Sequence, residues 1–121
     1  MTTDITASGY ANLNIGNLIA ANWAFIELQD STGQKIIRFP KTDVRVTQTI
    51  LDTKKVVYRV LLHGSDTDIA AKGLPQTFAK AAFKLTDADG VAVLAVDTFD
   101  LATLNAAIDE LDLTISVGIL V

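Results

Sequence analysis

One histidine, no cysteine and twelve aspartates bound the chemistry open to this chain of 121 residues. The histidine lies in His63-Gly64-Ser65-Asp66, so a base, a hydroxyl and a carboxylate are neighbours in sequence. A catalytic triad needs those groups to converge from separate segments, with the carboxylate orienting the imidazole against the nucleophile. Consecutive residues read instead as a strand end, a turn and a helix cap, and no Gly-x-Ser-x-Gly elbow is present. A zinc site draws on several imidazoles or thiolates, which this composition does not supply. Calcium needs only oxygens, and Asp87-Ala88-Asp89-Gly90 begins as a calcium loop begins. It lacks the later acceptors and the closing Glu of such a loop, and the same residues read as a hairpin turn. Asp109, Glu110 and Asp112, with Asp97 and Asp100, form a second acidic cluster. The glycines at 33, 64, 73, 90 and 118 are isolated, so no Gly-rich phosphate loop exists. The expectation is a chain without catalytic residues, cofactor or metal.

What positions these groups begins with charge. Every Lys and Arg falls between Lys35 and Lys84. Residues 1–34 carry a net −3, residues 35–84 a net +6 and residues 85–121 a net −7. Segregation of this kind is more than folding alone should need, and it predicts surfaces of differing sign suited to a copy of the chain or to a charged partner. The overall charge of −4 and pI near 4.7 argue against general nucleic-acid binding. Half the residues are hydrophobic and only 20% are charged, against about a quarter in an ordinary soluble domain. Some apolar surface should therefore be covered by other chains. The start Met1-Thr2-Thr3-Asp4 has no basic signal-peptide character. Ile5 to Ile26 carries no charge, but Asn12, Asn14, Asn17 and Asn22 are expensive in hydrocarbon, so no membrane span is expected.

Alternation of apolar and polar residues dominates the chain. Asp43–Ile50 places Val44, Val46 and Ile50 on one face. Lys55–Leu62 places Val56, Tyr58, Val60 and Leu62 together, and Leu51-Asp52-Thr53-Lys54 links the two as a hairpin. Leu113–Val121 alternates to its last residue. Asn22–Asp30 and Tyr10–Ile19, with Leu13 and Ile15 inward, read as further strands, and so does Thr77–Leu85 by the alternation of Ala79, Ala81, Phe83 and Leu85, although Phe78, Ala82 and Leu85 also suit a helix. A repeat supports this: Ile26-Glu27-Leu28-Gln29-Asp30-Ser31-Thr32-Gly33 aligns with Phe83-Lys84-Leu85-Thr86-Asp87-Ala88-Asp89-Gly90, and each Asp-x-x-Gly predicts a tight hairpin turn. Asp66–Lys72 predicts a short helix capped by Asp66 or Ser65 and ended by Gly73 and Pro75. Leu101, Leu104, Ile108 and Leu111 form a stripe that predicts a helix over 100–111, with Asp100 as its N-cap. The fold expected is one mainly β domain over 1–121: an antiparallel β-sandwich or small barrel of about seven or eight strands with one short helix near 100–111.

Trp23 and Phe25 share a face opposite Ala24, Ile26 and Leu28. Both faces of that strand are bulky, so one needs cover beyond the domain core, and large aromatics anchor interfaces. A terminus as apolar as Ile119-Leu120-Val121 should be paired in a sheet. The candidate contact residues are therefore Trp23 and Phe25, the cations Arg38, Arg45 and Arg59, the carboxylates Asp109, Glu110 and Asp112, and the terminal Leu120 and Val121.

In size, in its cysteine-free Ala/Thr/Asp-rich make-up and in its two Asp-x-x-Gly hairpins, the chain resembles the small β-rich virion proteins of tailed bacteriophages, such as capsid decoration (cement) or tail proteins. The resemblance implies a non-catalytic structural protein, made in the host cytoplasm and resident in the virion. It implies self-association as a trimer or ring and binding to other structural proteins. The alternative is an adhesion or carbohydrate-binding β-sandwich module, for which loop aromatics and an export route are the expected signs; the alternative location is the cytoplasm.

Overall fold

A computed structural model describes residues 6–8, 15–52 and 55–118. In chain order the elements are α1 (Ile15–Asn22), β1 (Phe25–Gln29), β2 (Lys35–Pro40), β3 (Val46–Asp52), β4 (Lys55–His63), α2 (Thr67–Lys72), β5 (Gln76–Lys84), β6 (Ala95–Leu104) and β7 (Glu110–Gly118). The strands form a four-stranded sheet ordered β2-β1-β5-β6 and a three-stranded sheet ordered β3-β4-β7. Every pairing is antiparallel. The two sheets make a small sandwich-like fold that is mainly β.

The core follows from the alternation. Val56, Tyr58, Val60 and Leu62 of β4 and Leu113, Ile115 and Val117 of β7 are buried on one sheet. Ile26, Leu28, Ile37, Phe39, Phe78, Ala81 and Phe83 are buried on the other. The Tyr58 and Phe83 rings meet across the interior at 5.2 Å between centroids, within the range where aromatic pairs attract. Ile19 of α1 and Ile69 of α2 close the core. Removing such apolar surface from water is the main stabilising term, at roughly 25 cal/mol per Å².

The β1–β2 hairpin forms as expected. The Asp30 carboxylate accepts the backbone N–H groups of Thr32 and Gln34, at 2.9 and 3.1 Å, and Gly33 takes the left-handed conformation at φ +85°. The hairpin of β3 and β4 pairs Val46 with Val60 and Ile50 with Val56. Residues Asp43 to Arg45 are a turn ahead of β3, with the Val46 N–H donating to the Asp43 carbonyl. The helix over Thr67–Lys72 starts after Asp66 and ends at Gly73.

Four expectations are corrected. The stripe over 100–111 is not a helix: β6 runs to Leu104, and β7 begins at Glu110. Leu104 is fully buried, whereas Leu101 and Ile108 are 68% and 90% exposed, so the stripe meets no common surface. Ladder pairing of Phe78 with Ala102 and Gln76 with Leu104 wins over local helical periodicity. Asp100 lies within the strand and caps nothing. Second, residues 15–19 are helical, not extended; Ala20 and Ala21 favour helix, and burial of Ile19 fixes the face. The rest of that expected strand, with Leu13, lies outside the described residues. Third, the strand expected over Asn22–Asp30 starts only at Phe25, because α1 runs to Asn22 and the Trp23 N–H still donates to the Ile19 carbonyl. Fourth, Asp87–Gly90 is not the expected hairpin turn between paired strands, although Asp89 and Gly90 do form a turn. It lies in a long connection from Lys84 to Ala95, and Gly90 has no positive φ. Its carboxylates are used elsewhere.

Candidate functional site

The outward face of the four-stranded sheet should meet water, yet Glu27, Gln29, Ala82 and Lys84 on it are buried. The segment 85–94 lies over them as a strap. Glu27 is the centre. Its Oε1 accepts from Arg38 at 2.7 Å and from Lys84 Nζ at 3.2 Å, and its Oε2 accepts from Gln29 Nε2 at 2.7 Å. The Arg38 side chain is 6% exposed. Arg38 also reaches up into the strap, donating from Nε to Asp87 at 2.8 Å and from both terminal nitrogens to Asp89 at 3.0 Å. Lys35 joins Asp89 at 3.2 Å. Lys84 donates to the Asp89 carbonyl, and the Leu94 N–H donates to the Phe83 carbonyl, so the strap is tied at its middle and at its end.

Three cations (Lys35, Arg38 and Lys84) meet three carboxylates (Glu27, Asp87 and Asp89). Glu27, Arg38 and Lys84 leave water, and such charges need partners at hydrogen-bonding distance, which each has here, while Asp87 and Asp89 stay largely exposed. Burial pushes the Glu27 carboxyl up, but the hydrogen bonds from Gln29, Arg38 and Lys84 outweigh it and hold it below the usual Glu value. The Arg38 and Lys35 hydrogen bonds hold Asp89 below the usual Asp value. Beside the cluster lies a cavity of about 380 Å³ lined by Gln29, Lys35 and Lys84 and by the strap's Val91 and Val93. The cluster is a fastener: it has charge and order, but its donors and acceptors are spent on one another.

A second node surrounds Arg45. Its guanidinium donates to Asp43 at 2.9 and 3.0 Å and to Asp68 at 2.9 Å, reaches Asp66 at 3.3 Å, and lies 4.7 Å from the Phe39 ring centroid. It joins the turn before β3 to the start of α2. The Arg45 hydrogen bonds hold Asp43 below its usual value. The Arg59–Asp112 ion pair bridges β4 and β7 on the outside of the three-stranded sheet.

His63 contacts Glu110 at 2.9 Å, on the neighbouring strand. The turn after it is local: the His63 N–H donates to the Asp66 carboxylate and the Asp66 N–H donates to the His63 carbonyl. Gly64 is demanded by packing, because a Cβ there would lie 2.0 Å from the Ala106 carbonyl oxygen. Asp109 accepts the backbone N–H groups of Asn105 and Ala106, both at 2.9 Å, and so shapes the loop that presses on Gly64. Among the described residues, no three His, Cys, Asp or Glu side chains gather as a metal site.

The structure thus places Arg38 and Arg45 inside ion-pair nodes, Asp109 in a loop cap, and Glu110 and Asp112 beside His63 and Arg59. Trp23 is half-buried against Phe83, with ring centroids 6.0 Å apart. Phe25 is half-buried at the start of β1, and Leu120 and Val121 lie outside the described residues. Glu27, Gln29 and Lys84 were missed as a polar centre. A signal existed: Glu27 and Lys84 occupy the same position of the internal repeat with opposite charge.

No helix among the described residues is long and apolar enough to cross a membrane. Comparison of the chain with protein-family models, with curated proteins and with solved structures finds no match.

Proposed function

We propose that the chain is a non-catalytic structural protein that works by self-association and by adding to a larger assembly. The reading takes it as a virion component of the capsid-decoration or tail kind. The observation that carries it is the way the surface is divided. Much of the charge is spent on internal ion pairs, while large aliphatic side chains are left in water. Val44 is 100% exposed, Ile108 90%, Leu101 68% and Leu51 57%. Exposed aliphatic surface in a chain with few charges is what association removes from solvent. The virion assignment rests on the resemblance in size, composition and β content.

Light scattering over a rising concentration series tests it. The expected result is a mass above the 12.9 kDa of one chain. A mass that stays at one chain throughout the series overturns the self-association.

A further inference from the structure

The two sheets leave four edge strands, and three of them are protected against pairing. β2 carries Lys35, Arg38 and Pro40, and α2 packs against it. β6 carries Asp97 and Asp100 and bulges at Phe99–Leu101, where its register with β5 shifts. β7 carries Glu110 and Asp112 and lies beside β6. Charges, proline, bulges and cover are the devices by which sheets refuse further strands.

Among the described residues, β3 has neither charge nor proline between its ends, and its one register shift lies near its end, between Ile50 and Asp52. Val46-Thr47-Gln48-Thr49-Ile50-Leu51 holds no charge and no proline. Its pairing with β4 is regular from Val46 to Ile50. Residues Thr47 to Leu51 are all exposed, although α1 packs against β3 and β4. Ile50 sits on the inward face, opposite the buried Val56, yet is 44% exposed. The interior of the sandwich therefore opens at this edge.

We propose that β3 pairs antiparallel with β3 of a second copy, about a two-fold axis normal to the sheet. The two three-stranded sheets then join as one of six strands. The argument for a copy, and not a strand of other origin, is charge. About such an axis each residue meets one from the same strand, so a charged edge would set like charges near each other. From Val46 to Leu51 this edge is neutral and meets itself without that penalty. Residues on the same face of the sheet then meet, and Gln48 and Ile50 of each copy continue the interior of the other. The inference rests on the proposed self-association and names its surface.

The test uses Thr49→Lys and Thr49→Glu, substitutions at an exposed position. Light scattering of the wild type is expected to give twice the mass of one chain, or a multiple of that. Each variant alone is expected to halve the mass, because like charges then face each other. An equimolar mixture of the two is expected to restore it, which a merely local defect would not do. Hydrogen exchange of the wild type is the second measurement, with amides in 47–51 slowing as concentration rises. If the wild type assembles but both variants keep its mass and these amides stay unprotected, the β3 contact is wrong while self-association stands. If the wild type stays a single chain at every concentration, both fall. A variant that associates only with a different protein would assign this edge to a foreign strand and overturn the proposal.

Discussion

Glu27 shows how one buried carboxylate depends on its donors. Replacing it by Gln removes the charge that Arg38 and Lys84 share while leaving both cations under the strap. Breaking a buried ion pair from one side costs about 3 kcal/mol, so Glu27→Gln should unfold at clearly lower urea concentration than the wild type. An unchanged midpoint would show that water reaches the cluster freely. Tyr58 is the opposite case. It is fully buried and its hydroxyl has no hydrogen-bond partner among the described residues, and burial pushes its pKa up to about 12. An unsatisfied buried hydroxyl costs on the order of 1 kcal/mol. Tyr58→Phe keeps the ring against Phe83 and should melt at a higher temperature; a large loss of stability would mean that the hydroxyl has a partner after all.

At the scale of elements, the strap over 85–94 and the loop 105–109 are held by side chains. The strap crosses sheet residues that would otherwise be wet, and Asp87 and Asp89 are its outer ties to Arg38. In Asp87→Asn/Asp89→Asn the charge-assisted bonds weaken, and the strap should open locally without unfolding the sheets. The expected result is faster protease cleavage within 85–94 with a nearly unchanged global melt. Equal cleavage in both proteins would show that backbone bonds alone hold the strap. These elements also mark how far local pattern reaches. The Asp30–Gly33 turn was legible because a carboxylate and a glycine satisfy it within a few residues. The matching Asp87–Gly90 motif was misread, because the carboxylates of Asp87 and Asp89 find Arg38, a partner about fifty residues away.

Across the whole molecule, the charge segregation has an internal use. Lys35 and Arg38 of the basic segment meet Asp87 and Asp89 of the acidic one, and Arg59 meets Asp112. Glu27, Asp43, Asp89 and Asp112 are all held below their usual values. A carboxyl whose folded value is depressed adds stability above its unfolded value, and that stability is lost as pH falls through the folded value. The melting temperature should therefore stay level from neutral pH down towards the ordinary Glu value of 4.5 and drop below it. A melt that improves on acidification past that point would contradict the ion-pair account.

The sequence by itself determined the β class, the inward faces of β4 and β7, the first hairpin and the short helix over 67–72. Period-2 alternation and turn residues act over a few positions, so they are written locally. Only the tertiary structure decided that 100–104 extends as strand, that 15–19 coils, and that Glu27, Arg38 and Lys84 gather beneath a strap. Those outcomes come from ladder pairing, burial and ion pairs between distant segments, whose energies outweigh local preference and leave little trace in the order of residues.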